Sequence, residues 1–138
     1  MLVPRATATA LTALALLAGC GNERNHDVDG FVAKGKTPAE RAVLQTIATY
    51  RTTDDDRRAC RLLTQHFIDG RFEGELDNCR QVLRSADRYL PDEARVESVR
   101  GTAARVRVDE PTSTESIYEL RREGGTWKID DIVEAPPA

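Results

Sequence analysis

At Pro91 the apolar residues of this chain stop recurring every three or four positions and begin to alternate with charged ones. That change orders the architecture: helices first, strands afterwards. Upstream, Thr37-Pro38-Ala39-Glu40 has the form of a capping box with proline at the first helical position, where its missing N–H costs nothing. Val43, Leu44, Ile47, Ala48 and Tyr50 follow at helical spacing and predict a first helix to about Arg51. Asp54, Asp55 and Asp56 offer an N-cap and complement the dipole of a second helix, with Ala59, Leu62, Leu63, His66 and Phe67 as its stripe and Gly70 beyond its end. The acidic triplet lacks the twelve-residue spread and central glycine of a calcium loop, so capping is its reading. Asp77 opens a third stripe through Cys79, Val82, Leu83, Ala86 and Leu90, stopped by Pro91.

Downstream the period is two. Val96 to Val99 is a short strand; Ala104, Val106 and Val108 alternate with arginines; Ser116, Tyr118 and Leu120 alternate with Ile117 and Glu119; Trp127 and Ile129 alternate with Lys128 and Asp130. Glu123-Gly124-Gly125 marks the last hairpin and Pro111 to Thr114 a looser turn. One apolar and one charged face per strand is the signature of an antiparallel sheet covered on one side only. The expected fold class is therefore α+β, with about three N-terminal helices packed on a curved antiparallel sheet of about four strands. Ile117 and Val99, apolar on the nominally outer face, hint at a homodimer.

The N-terminus carries an address. Arg5 precedes an uncharged Ala/Leu stretch from Ala6 to Ala18, thirteen residues, too short for a spanning helix and of the length of a signal-peptide core. It ends in Leu17-Ala18-Gly19-Cys20, which resembles the lipobox of bacterial lipoproteins. The resemblance implies that residues 1–19 are removed, that Cys20 is acylated, and that the domain is anchored to the outer face of the cell membrane by lipid. More than one acyl chain satisfies the two-signal requirement for stable anchoring. Residues 20–36 then read as lipidated cysteine and polar tether, 37–134 as the globular domain and 135–138 as a tail. His26, beside Asp27 and Asp29, is read as a solvated tether residue and not as a metal ligand.

Export places the remaining thiols in an oxidising space, so Cys60 and Cys79 are expected to form one structural disulfide. There is no CxxC pair, HExxH, nucleophile elbow or phosphate-cradling glycine loop, and no cofactor is expected. With 31% charged residues, net charge −3 and arginines interleaved with Asp and Glu, the chain lacks the uncompensated positive charge of a nucleic-acid binder.

Helices followed by long strands ending in Gly125-Thr126-Trp127-Lys128-Ile129-Asp130 resemble the nuclear transport factor 2-like superfamily over about residues 37–133. The resemblance implies a cone with a mouth between sheet and helices, and a residual strand at Phe67-Ile68 or Arg71-Phe72. Relatives use that mouth for isomerase or dehydratase chemistry, for ligands or for partners, so fold does not choose function. His66, Tyr50, Tyr118 and Trp127 are the possible pocket residues, with Tyr89 and Asp131 as further candidates for acid–base work. With no residue-by-residue catalytic match, the expectation is a non-enzymatic domain binding a protein or small apolar ligand. The alternatives are an isomerase-like enzyme, which requires His66 to face an enclosed pocket, and a dimerising module.

Overall fold

Helices do precede strands in the computed structural model, which describes residues 27–136. Five helices, α1 (Val28–Val32), α2 (Pro38–Thr52), α3 (Asp56–Arg61), α4 (Gln65–Phe72) and α5 (Leu76–Ser85), are followed by β1 (Glu93–Arg100), β2 (Ala103–Asp109), β3 (Glu115–Glu123) and β4 (Thr126–Glu134). The strands form one antiparallel sheet in the order β1-β2-β3-β4. The sheet is neither closed nor strongly curled, so the expected cone is not formed. Its inner face is filled instead: Val106, Val108, Tyr118, Leu120, Trp127 and Ile129 pack with Val43, Leu44, Ile47 and Phe67 in one core cluster.

α2 starts as its sequence demands, with the Thr37 hydroxyl accepting from the Glu40 N–H at 3.1 Å. The reciprocal half of the box slips by one residue, since the Glu40 carboxylate takes the N–H of Lys36 and not that of Thr37. α1 lies inside the expected tether. Asp27 caps it through the Gly30 N–H at 2.9 Å, Phe31 is only 3% exposed, and Lys34 Nζ donates to the Asp92 carbonyl at 2.7 Å. The tether predicted over 20–36 thus gives way to folded chain from Asp27 on, because one aromatic side chain found a core to enter.

The second helix read from the sequence is two. Its stripe is interrupted at Leu62–Thr64, where the Leu62 carbonyl accepts from Ile129 at 2.7 Å and the Thr64 N–H donates to the Ile129 carbonyl at 2.9 Å. Leu63 forms an isolated parallel bridge to Ile129, and the Thr64 hydroxyl caps α4 through the Phe67 N–H. Backbone groups needed to continue α3 are thus committed to β4. Phe67-Ile68 and Arg71-Phe72 are helical, so the residual strand expected there is not formed, and the isolated bridge at Leu63 is the only β pairing among the described residues of the helical half. α5 likewise stops at Ser85 and not at Leu90, because Ala86 is extended and the following residues turn back onto α2. Val82, placed on the buried stripe by spacing, is 51% exposed.

The strands run as read and are longer. Gly124 and Gly125 both have positive φ, as a two-residue type I′ hairpin requires. A bulge between Val96 and Ser98 puts Val96 opposite Val106 and Val99 opposite Ala104. Val99 is therefore half-buried against the core and not outward, as sequence alternation had it. Ile117 does lie on the outer face, opposite Arg107 and Val133, but is 1% exposed. It sits within a charge lattice in which Arg107 pairs with Glu97 (2.7 Å) and Glu115 (2.8 Å), and Arg105 with Glu97 (3.1 Å) and Glu119 (3.2 Å). The apolar hint of a face-to-face dimer is thereby covered over.

Cys60 of α3 and Cys79 of α5 form the expected disulfide, both buried, with Cα atoms 6.2 Å apart. The bridge spans the whole of α4.

Candidate functional site

The titratable groups most shifted by their surroundings gather where the C-terminal end of α2 meets the connection from α5 to β1 and the turn between β2 and β3. Arg51 is the centre. Its guanidinium donates to both Glu110 carboxylate oxygens at 3.0 and 2.9 Å, to the Tyr118 hydroxyl at 2.7 Å, and through Nε to the Tyr89 carbonyl at 2.7 Å. The Arg51 and Glu110 side chains are 11% and 15% exposed, and Tyr118 only 1%. Beside them Arg88 donates to the carbonyls of Tyr50 and Thr53, and its guanidinium carbon lies 5.8 Å from the Tyr50 ring centroid. Such a guanidinium–ring approach is favourable and holds the ring in place.

These contacts set the electrostatics. Burial works against the Arg51 charge, but the hydrogen bond and attraction of Glu110 outweigh it and hold the guanidinium charged more firmly than usual. Burial pushes the Tyr118 hydroxyl up to about 12, with Arg51 partly opposing. It raises Tyr50 as well, with Arg88 and Arg51 pulling the other way. A phenol shifted upward cannot serve as a base near neutrality; here it donates or accepts hydrogen bonds and stays protonated. The cluster is a lock that ties three segments together.

The linkage is testable. Since the native Tyr118 keeps its proton while the unfolded chain loses one near pH 10, stability is complete below that pH and falls as pH rises toward about 12. The loss expected from this residue is roughly 2–3 kcal/mol. Urea unfolding from pH 8 to 12 should show it, and Tyr118→Phe should flatten the alkaline slope. An unchanged slope in that variant would refute the assignment.

The sequence candidates are not all brought together. Tyr50, Tyr89 and Tyr118 meet the Arg51–Arg88 cluster. Trp127 is buried in the core, its carbonyl accepting from the Thr46 hydroxyl at 3.2 Å. Asp131 pairs with Arg71 at 3.2 Å on the β4 edge. His66 is exposed in the first turn of α4, because the break at Leu62–Thr64 shifts the helical phase. The convergence on an enclosed pocket that an isomerase-like reaction needs is absent for His66. Sequence reasoning missed Arg51, Arg88 and Glu110, whose charges carried no sign of burial. Cys20 and His26 lie outside the described residues.

Three concavities of about 230–280 Å³ are open depressions, and none is lined by Tyr50, His66, Tyr118 or Trp127. Two lie on the outer sheet face and one between α1 and Leu90–Asp92. Among the described residues no group of three or more His, Cys, Asp or Glu side chains is placed to hold a metal ion. No protein family, no curated protein and no solved structure matches the chain. What stands is the α+β order of helices followed by a four-stranded antiparallel sheet.

Proposed function

We propose that this chain is the precursor of a lipoprotein whose acylated Cys20 holds an α+β domain at the outer face of a cell membrane, where its surface binds a protein partner. The reading is carried by Leu17-Ala18-Gly19-Cys20 after a short apolar stretch, and the Cys60–Cys79 disulfide supports it, since such bridges persist in oxidising compartments. No described helix is long and apolar enough to cross a membrane, so attachment through the lipidated cysteine is the mode proposed. A surface role is favoured over capture of a small apolar ligand because the inner sheet face is occupied by the protein's own core. The arrangement of helices and a strand meander ending in Trp127-Lys128-Ile129 supports a distant kinship with the nuclear transport factor 2-like fold, from which the open sheet departs.

The folding of α1 sharpens the picture. Asp27, the first described residue, caps α1 and lies seven peptide steps from Cys20, a reach of at most about 25 Å. The domain is held close to the lipid headgroups, and a partner must be reached there.

Replacing Cys20 with Ala is expected to abolish incorporation of labelled palmitate and to leave the uncleaved precursor. Lipid labelling undiminished in that variant would end the proposal. Protease added to intact cells or spheroplasts should digest the wild-type domain, and full protection of it in cells with a permeable envelope would contradict the placement.

A further inference from the structure

The two edges of the sheet are treated unequally. The β4 edge is engaged by the Leu62 carbonyl, the Thr64 N–H and the Arg71 guanidinium, which donates to the Ile132 carbonyl at 2.7 Å. Among the described residues nothing pairs with the outer edge of β1, an eight-residue strand at the end of the sheet. A free edge presents the N–H and C=O groups of alternate residues and templates a further strand.

The side chains of that edge suit a particular occupant. Glu93, Arg95, Ser98 and Arg100 line depressions on the outer face of the sheet. Ala94, Val96 and Val99 lie half-buried on the inner face. Laid antiparallel against itself with Glu93 opposite Arg100, this strand also sets Ala94 opposite Val99 and Arg95 opposite Ser98. Every one of these pairs shares a face, as opposite residues in a sheet must. The two-fold axis falls between Val96 and Glu97, which sets an inner residue opposite an outer one, and this central mismatch lies where the two bulges meet. Each Glu97 is there compensated by Arg105 and Arg107 of its own copy. Glu93 is 70% exposed and shared only with Lys34 at 3.5 Å, and Arg100 makes no ion pair among the described residues. Both charges are available.

We infer that β1 is a homodimerisation edge, on which a second copy of this chain pairs β1 to β1 in the Glu93–Arg100 register to give a continuous eight-stranded sheet. The contact is isologous, so Glu93 and Arg100 meet twice and the association closes at two. The inference does not rest on lipid anchoring.

The test uses the full chain in mild detergent. Sedimentation should report a dimer. The double variant Glu93→Cys/Arg100→Cys should give a covalent dimer on non-reducing gels, since these positions are too far apart within one strand to bridge each other. Lys128→Cys/Glu134→Cys, on the β4 edge, should still sediment as a dimer but run as a monomer on the same gels. Glu93→Arg or Arg100→Glu alone should weaken dimerisation about ten-fold or more, the size expected for two cross-strand pairs turned from opposite to like charge. The combined swap should restore it. A monomer that never crosslinks, including one whose own N-terminal segment covers the edge, overturns the inference. So does a dimer indifferent to the swaps or crosslinked equally through β4.

Discussion

Replacing Glu110 with Ala is expected to destabilise the domain by about 3–5 kcal/mol, the range seen when one partner of a buried ion pair is removed. The side chain of Arg51 is 11% exposed and spends two of its hydrogen bonds on Glu110. Without the carboxylate, a charged guanidinium would remain inside with only the Tyr118 hydroxyl and the Tyr89 carbonyl as partners. Urea denaturation followed by circular dichroism would measure the change. The joint variant Arg51→Met/Glu110→Leu should cost far less than either truncation, because no uncompensated charge is left behind. A loss below about 1 kcal/mol for Glu110→Ala would mean that the pair behaves as an exposed one.

Removing the Cys60–Cys79 bridge is expected to cost about 3 kcal/mol, the chain-entropy value for a closed loop of this length. In the paired Cys60→Ala/Cys79→Ala variant, the contact between α3 and α5 would keep the core packing of Ala59 and Leu83 and the solvent-screened ion pairs of Asp56 with Arg80 and Arg84, neither of which replaces the covalent link. Reduction of the wild type should shift the urea midpoint down by about 1–3 M, given ordinary slopes. Equal midpoints with and without reductant would show that the bridge contributes nothing. Quantitative thiol labelling of the unreduced protein would show that it never forms.

What was legible beforehand was written in local chemistry. The capping residues of α2, the alternation in β2, β3 and β4, the glycine pair of the last turn and the pairing of Cys60 with Cys79 all depend on residues close in sequence or on a single choice of partner. The rest depends on distant partners. The break at Leu62–Thr64 is imposed by Ile129, and nothing in the apolar stripe announced it; the phase error it introduces carried His66 from a predicted pocket to the surface. The bulge at Glu97 turned Val99 inward, and alternation alone places it outward. Phe31, with Val28 and Val32 beside it and Asp27 as cap, was a faint mark of α1 in a polar stretch. The Arg51–Glu110 lock was the least visible, since two charges 59 positions apart look like surface residues until the fold closes around them.

The docking of α1 also decides how the domain answers a pull. Tension applied through the N-terminal segment enters the fold at a five-residue helix whose buried grip is Phe31, whereas α3 and α5 are covalently stapled. α1 is therefore the first element to peel. Releasing residues 27–36 pays out up to about 33 Å of slack while the core behind it stays intact. With the chain held at Cys20 as proposed, this short helix would act as a reserve of length released under load.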